Sequence, residues 1–334
     1  TELAFDDGVS EGVDARLTTL GGRLDLWDGA SLATGAVVAA GTGAPSQVVG
    51  HVGLDQEIVL TDATTLTFAA EHQRQVAGPA TPPSLEAGLS NPRLSEDHVV
   101  AALGIAHTTE SWQGRGSLEW RLADSERHVG LQGRATRPFD DTLAGGLKLT
   151  ASRSTPRTQE GSDSAEAELA GSLAWRPLDR THAVVGTLKG AHTVETDRHE
   201  TRLVGSVFSS QRLDNDHRLN LRGGVKHSRF VFDDTAYTDV LGFAGAEYRH
   251  RLTETLDIGV HGSRLHSFDT GVGRHHLGAS IGITPFEQGW VSVGYNARGY
   301  DDPDFSRGGE TRQGAFVQFR FKLDQGTLQD LAGR

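Results

Sequence analysis

Hydrophobic and polar residues alternate along the last strand-like stretch of the chain, residues 312–324. A repeat of two is that of a β-strand, in which successive side chains point to opposite faces. The alternation covers about ten residues, which is the length that a tilted strand needs to cross a bilayer, whereas strands in soluble sheets are about half as long. The stretch therefore predicts a membrane-spanning, closing strand. The side chains that we expect to face lipid are Val317, Phe319, Phe321 and Leu323.

The same alternation recurs upstream, for example from Trp112 to Leu122 and from Ala165 to Arg176. Short turns are predicted near residues 61–64, 108–111, 138–141, 177–181, 213–217, 251–255 and 285–289. Longer links are predicted at residues 76–97, 154–164, 232–237, 268–274 and 301–311. Short turns on one rim and long loops on the other are typical of outer-membrane β-barrels.

Further strands are predicted near residues 2–6, 13–27, 32–40, 47–58 and 66–75. The total is roughly 16 to 18 strands, and closure with a periplasmic N terminus requires an even number. The predicted fold class is all-β: one transmembrane, antiparallel, up-and-down β-barrel of about 18 strands, with 16 as the alternative, which occupies residues 1–334 as a single domain.

The charged side of each strand is predicted to face the barrel interior, because an Arg or Lys on the lipid face at the midplane costs roughly 2 to 4 kcal/mol. With this many strands the interior is too wide for side chains to fill, so it holds water, a folded loop or a plug. The side chains that we expect there are Arg115, Glu119, Arg121, Lys148, Glu166, Glu168, Arg218, Arg222, Lys226 and Arg320.

Aromatic residues add a second expectation, because Trp and Tyr concentrate at the two interfaces of a membrane. Four tryptophans lie at or beside the predicted short turns: Trp27, Trp112, Trp175 and Trp290. Tyr237 and Tyr300 lie at the predicted long-loop rim.

Composition narrows the classes of protein. Only 36% of the 334 residues are hydrophobic, which excludes a helical membrane protein. The chain has no cysteine, so disulfides, thiolate metal sites and cysteine nucleophiles are excluded. A formal net charge of -12 argues against a nucleic-acid partner. No signal-like segment opens the chain, so we expect an export signal to have been removed or to lie upstream.

Candidate chemistry is sparse. The acidic run at Asp301, Asp302 and Asp304 could offer oxygen ligands, but it lacks the spacing of a known calcium loop, so solvated loop charge is the preferred interpretation. His261 and Ser263 lie two apart on one predicted strand and could touch, yet nothing marks a nucleophile or an orienting acid. We therefore expect no enzymatic activity, no metal and no cofactor.

The stretch that contains Arg312, Gly314, Val317 and Phe319 resembles the insertion signal that the barrel assembly machinery reads. Residues 173–177, 259–267, 290–296 and 314–325 resemble the C-terminal barrels of large, repeat-bearing bacterial surface proteins. This resemblance implies a barrel that anchors, and exports or displays, parts of a larger cell-surface protein.

Taken together, these patterns predict a barrel in the outer membrane of a Gram-negative-type bacterium. A general or substrate-selective diffusion porin is the alternative function, with residues 76–97 as the candidate constriction loop. The expected partners are outer-membrane lipid, lipopolysaccharide, the barrel assembly machinery, and further domains of the same polypeptide or a surface partner. An outer-membrane enzyme and a soluble β protein are the remaining alternatives.

Overall fold

The computed structural model describes residues 2–6, 9–10, 13–41, 44–78, 97–158, 162–233, 235–286, 289–302, 304–305 and 312–321. Almost all of these residues are in β-strands. No helix among them is long and apolar enough to cross a membrane.

The strands follow one another along the chain with short connections. They are β1 (Glu2–Asp6), β2 (Val9–Ser10), β3 (Val13–Trp27), β4 (Ala30–Gly41), β5 (Ala44–Thr61), β6 (Thr64–Ala77), β7 (His98–Thr108), β8 (Gln113–Ala123), β9 (Glu126–Pro138), β10 (Leu143–Pro156), β11 (Ser164–Trp175), β12 (His182–Glu195), β13 (Arg198–Arg212), β14 (His217–Phe232), β15 (Thr235–Arg251), β16 (Leu256–Ser267), β17 (Gly273–Phe286), β18 (Gly289–Arg298) and β19 (Gly314–Phe321).

The chain divides into two compact units. The first unit comprises Thr1–Arg137, Leu147–Leu169 and His192–Arg198, and the second comprises Pro138–Gly146, Ala170–Ala191 and His199–Arg334. Within the first unit, each strand from β3 to β9 pairs antiparallel with the next along the chain. Within the second, β14 to β19 do the same. Both units therefore have the up-and-down antiparallel topology that the sequence predicts.

The first two strand segments occupy one position beside β3. Glu2 faces Gly21 and Asp6 faces Leu17, and the same register continues to Ser10, which faces Val13. With β1 and β2 counted as one strand, the described residues contain 18 strand positions. This number agrees with the predicted total of about 18.

Six of the predicted short turns are confirmed, because each falls between two of the strands given above, whereas the turn predicted at residues 285–289 lies partly outside the described residues. The predicted long links agree with the structure less well than the short turns do. Strands β14 and β15 are separated by only residues 233–234, so the expected link at residues 232–237 is wrong in length. Most of the link at residues 76–97 lies outside the described residues.

A side-chain cap closes several of the short turns. Oδ1 of Asp140 accepts hydrogen bonds from the backbone N–H of Thr142 at 2.7 Å and of Leu143 at 2.8 Å. Asp179 and Asp214 accept equivalent backbone hydrogen bonds two residues ahead. Asp stabilises turns in this way because its short carboxylate mimics a backbone carbonyl. These bonds are the local reason why strands reverse at these points.

Burial in the sheet is the reverse of that in a soluble protein. Leu118, Leu169 and Ile281 are 47%, 52% and 55% exposed, whereas Asn296 and Lys226 are 1% and 7% exposed. In a soluble protein large apolar side chains are the ones most often buried, and lysine is almost never fully buried unless it is paired. The large apolar side chains therefore lie on one exposed face of the strands, which we call the apolar face. The opposite face, which bears the polar side chains, is the polar face.

The cap at Asp140 generates a stability prediction. The side chain of Thr142, its backbone N–H and that of Leu143 all donate to the carboxylate and hold the pKa of Asp140 below its ordinary value. A carboxylate with a lowered folded-state pKa stabilises the fold above its unfolded pKa, and this stabilisation is lost as the pH falls through the lowered value. We expect Asp140→Ala to lower the thermal unfolding midpoint at pH 7 and the deficit to shrink in acid.

The measurement is the temperature at which the folded band disappears in a heat-modifiability gel, with circular dichroism as a second probe. Asp141→Ala, a substitution at the exposed neighbouring carboxylate, is the matched control. Equal midpoints for the two variants at pH 7 would contradict the cap.

Candidate functional site

A cluster of connected polar side chains in the second unit lies where the link after β18 folds onto the polar face. We call residues 300–305 the tucked segment; Pro303 lies outside the described residues. Tyr300, Asp302 and Phe305 are only 5%, 6% and 8% exposed. The expectation that the acidic run is solvated loop charge is therefore wrong for Asp302. Asp301 is exposed and accepts a hydrogen bond from Nε of Arg312 at 3.0 Å.

Three cations from three neighbouring strands meet the carboxylates of the tucked segment. Lys226 Nζ of β14 lies 2.6 Å from Oδ2 of Asp302 and 3.2 Å from Oδ2 of Asp304. Lys189 Nζ of β12 lies 2.5 Å from Oδ1 of Asp304, and a guanidinium nitrogen of Arg202 in β13 lies 3.7 Å from its Oδ2. The Asp304 side chain is 2% exposed, so its charge is compensated by protein cations and hardly at all by water.

Electrostatics at Asp304 favour the ionised carboxylate. Burial by itself raises the pKa of this group, but the hydrogen bond from Lys189 and the charges of Lys189 and Lys226 outweigh it, so the pKa is lowered. The pKa of Tyr300 is raised, chiefly because burial disfavours the phenolate. At neutral pH the tucked segment therefore presents an ionised Asp304 carboxylate and a neutral Tyr300 phenol to the polar face.

Aromatic packing holds the other end of the tucked segment. The Phe305 ring stacks on that of Phe243, with ring centroids 5.0 Å apart. Leu265, Val204 and Tyr300 complete this buried cluster. The Phe305 ring lies over Gly224, where an added Cβ would be 2.6 Å from the ring. Glycine at this position is therefore required for the ring to approach the strand.

A second network surrounds Arg249 in β15. Its guanidinium donates to Asp257 at 2.8 Å and to Glu247 at 3.0 Å, and it lies 4.6 Å from the centre of the Trp290 ring. Trp290 in turn donates its indole N–H to Asp257 at 2.8 Å. The interpretation of Trp290 as a membrane-interface aromatic is wrong, because this side chain lies among charged groups of the polar face. A cavity of about 550 Å³ adjoins Arg249 and Trp290.

A hydrogen-bonded chain links the histidines of the polar face. Ser263 contacts the Tyr300 hydroxyl at 2.8 Å and Nδ1 of His276 at 3.3 Å, not His261. His261 and His276 each place Nε2 within 3.0 Å of the same Asn296 oxygen. The adjoining cavity has a volume of about 70 Å³.

Metal ligands are not gathered anywhere in the part of the chain that the structure describes, where no group of three or more His, Asp or Glu side chains has the geometry to hold an ion. The charge clusters on the polar face instead pair cations with carboxylates. The opposite charges of each pair compensate each other.

The side chains expected in the barrel interior have different surroundings. Lys148 and Glu168 form an ion pair at 3.1 Å. Lys226 takes part in the cluster with the tucked segment. The guanidinium of Arg222 lies 5.9 Å from the centre of the Phe208 ring. Exposed side chains are found at Arg115, Glu119, Glu166 and Arg218, and Arg121 is partly buried.

The side chains of the last strand are described in part. Val317 and Phe319 are 57% and 61% exposed on the apolar face of β19. The side chains of Arg320 and Phe321 and the whole of Leu323 lie outside the described residues, so their predicted orientation stays a prediction.

Sequence reasoning missed Lys189, Arg202 and Asp304 as parts of one site. A signal was nevertheless present, because the acidic run is bracketed by two aromatic residues, Tyr300 and Phe305. Aromatic side chains on both sides of a charged run favour docking onto a surface over a solvated loop. The cationic partners could not be identified, because they lie far away in sequence.

No protein-family model matches this chain. No curated protein matches it either. The siderophore receptor PirA from Acinetobacter baumannii is a similar solved structure, with 10% identity over 97% of this chain and 65% of the receptor, and a TM-score of 0.52.

Two further similar structures have lower TM-scores. A bacterial polysaccharide outer membrane secretin is 13% identical over 89% of this chain and 100% of its own, with a TM-score of 0.43. The outer membrane channel DcaP of Acinetobacter baumannii is 10% identical over 94% of this chain and 98% of its own, with a TM-score of 0.42. The likeness to the receptor concerns the fold alone. The chain has the all-β, antiparallel, up-and-down fold of transmembrane outer-membrane β-barrels.

The Arg249 network generates a second stability prediction. Asp257→Ala removes the carboxylate that both Arg249 and Trp290 contact, and leaves the guanidinium, whose side chain is 8% exposed, with fewer counter-charges. Removal of one partner from a buried ion pair costs about 3 to 5 kcal/mol, so we expect a loss toward the lower end of that range, because Glu247 remains. The loss is measured as the free energy of unfolding in urea.

Glu254→Ala is the matched control, because this carboxylate is exposed in the neighbouring turn. A loss no larger than that of Glu254→Ala would show that the Arg249–Asp257 pair does not stabilise the fold.

Proposed function

We propose that the chain is a β-barrel of the bacterial outer membrane that anchors, and exports or displays, parts of a larger cell-surface protein. The observation that supports this proposal is the reversed burial of the strands: exposed apolar side chains on one face and paired, buried charges on the other. The apolar face would contact lipid, and the polar face would line the barrel interior.

The tucked segment favours an anchor over an open pore. A diffusion porin requires a continuous aqueous path, whereas an anchor requires only stable insertion. Asp302, Asp304, Tyr300 and Phe305 occupy space beside the polar face of β12 to β16 and replace water there with direct ion pairs and ring packing. We infer that this part of the interior is narrowed.

A substrate-selective porin is the second candidate, and the first unit provides the observation in its favour. Arg115 and Glu119 on the polar face of β8 are exposed. Lys148 is 59% exposed although it pairs with Glu168. Charged side chains that remain accessible along an interior wall are those that select permeating ions in wide barrels.

The proposed partners follow from this location. Outer-membrane lipid and lipopolysaccharide would contact the apolar face and its rim. The barrel assembly machinery would read β19, where Val317 and Phe319 share one exposed face next to Gly314. Further domains of the same polypeptide, or a surface partner, would be the anchored cargo. We propose no enzymatic role.

Substitutions on neighbouring residues of β8 test which face meets lipid. Leu118→Lys places an ammonium on the apolar face in the middle of the strand, where a lysine toward lipid costs roughly 2 to 4 kcal/mol. Glu119→Lys places the same ammonium on the polar face and is the matched control. We expect the first variant alone to lose folding stability in phosphatidylcholine vesicles, measured by urea titration. Equal losses would contradict the assignment of the faces.

Planar-bilayer recording separates the two candidate functions. We expect the reconstituted wild-type chain to show little steady conductance, because the tucked segment narrows the interior. A large, steady, ion-selective conductance would favour the porin.

A reporter domain fused before Thr1 tests the anchor directly, and we expect the fusion to sediment with outer membranes in a density gradient. A fusion that stays soluble would contradict anchoring.

A further inference from the structure

Three cations converge on one place on the polar face of the second unit. Lys189, Arg202 and Lys226 come from the neighbouring strands β12, β13 and β14. Their side chains are 27%, 23% and 8% exposed, so all three are at least partly shielded from water. Like charges held together with little water repel each other, and a buried ammonium is unfavourable without a counter-charge. This cationic patch therefore requires anions.

Among the described residues, most of the negative charge that compensates the patch comes from the link after β18, not from the strands that bear the three cations. Asp302 and Asp304 both lie within 3.2 Å of the same Lys226 ammonium. On the strands themselves, Glu200 lies 3.2 Å from Arg202 and compensates only that side of the patch. Two carboxylate oxygens at one ammonium, with a lysine and an arginine beside them, match a compact ligand with two negative charges and several acceptor oxygens.

We propose that Lys189, Arg202 and Lys226 form a binding site for a small dianion such as a phosphate or dicarboxylate, and that Asp302 and Asp304 occupy it as a built-in ligand. A soluble dianion would compete with the carboxylates and displace the tucked segment from the polar face. The inference rests on the proposed function in one respect: the dianion reaches the patch only if the polar face lines an aqueous interior.

The attachments of the tucked segment make such exchange feasible. Besides the ion pairs, the described residues fix it through the Tyr300–Ser263 hydrogen bond and the Phe305 ring. None of its described residues belongs to a strand, so displacement of these residues breaks no strand pairing. Binding of the dianion and docking of the segment therefore compete, and each must weaken the other by the same factor.

A single reporter thiol can follow the position of the tucked segment. The native chain has no cysteine, and Val204 is 5% exposed in the cluster with Tyr300 and Phe305. In a Val204→Cys chain, refolded in detergent, we expect a small methanethiosulfonate reagent to react slowly. The double variant Asp302→Asn, Asp304→Asn should expose the thiol and raise the labelling rate by about tenfold or more, because several charge-assisted contacts are lost.

Asp301→Asn is the matched control. This carboxylate belongs to the same acidic run, but it is exposed and pairs with Arg312. We expect its labelling rate to equal that of the parent Val204→Cys chain. An increase as large as that of the double variant would show that any charge change in the run releases the segment, which would overturn the proposal.

Binding is measured with inorganic phosphate by isothermal titration calorimetry on chains without the reporter. We expect the double variant to bind phosphate about tenfold more tightly than the wild type or better, because the internal carboxylates no longer compete. Addition of Lys226→Met to the double variant should abolish this binding. Equal phosphate affinity in the wild type and the double variant, or binding that survives Lys226→Met, would overturn the proposal.

If the double variant fails to refold, the parent Val204→Cys chain tests the proposal by itself. We expect phosphate to accelerate labelling of Val204→Cys more than sodium chloride of equal ionic strength does. Equal acceleration by the two salts would overturn the proposal. The titrations in detergent require no anchored cargo. If the chain inserts normally into membranes but phosphate neither binds nor accelerates labelling, the result contradicts the proposed dianion site and leaves the proposed anchor untouched. If phosphate binds but the reporter fusion stays soluble, the result contradicts the proposed anchoring function and leaves the dianion site untouched.

Discussion

Each strand of this protein separates two environments, and the rest of the structure depends on this constraint. Antiparallel ladders between successive strands satisfy the backbone hydrogen bonds, so neither face needs to be polar for that purpose. Side chains then sort by the period of two, with Leu118 on the apolar face beside Glu119 on the polar face. The short capped turns preserve the register from one strand to the next.

Charges on the polar face lie close together, so the pairing of opposite charges there affects the stability of the fold. Arg249 and Lys226 are both 7% exposed, yet each meets carboxylates within hydrogen-bonding distance. A buried charge with a partner is tolerated, whereas one that loses its partner is strongly destabilising. The two networks also have different origins. The Arg249 network is built from strand residues, whereas the Lys226 cluster also includes carboxylates of the link after β18.

The strands could be predicted from sequence because their signal is local. The bounds predicted for β3, residues 13–27, are those observed, and the short turn between β13 and β14 lies where it was expected. The partners of the tucked segment could not be predicted, because Asp304 meets Lys189 across 115 residues and Asp302 meets Lys226 across 76. An acidic run carries no local sign of such partners. Trp290 shows a different limit. The period of two places it on the face of Ser292 and Asn296, and the interpretation from residue type alone overlooked this. There it contacts Asp257 and Arg249.

The ion cluster also constrains how this protein can change over evolutionary time. Lys189, Arg202 and Lys226 on the strands depend on Asp302 and Asp304 in the link, and the dependence is mutual. Loss of one member leaves a shielded charge without a counter-charge. A single substitution in the cluster is therefore disfavoured, and the residues can change only through pairs of substitutions that compensate each other. Among related sequences, the link and the three strands should therefore vary in concert, whereas outer links without such partners should drift independently.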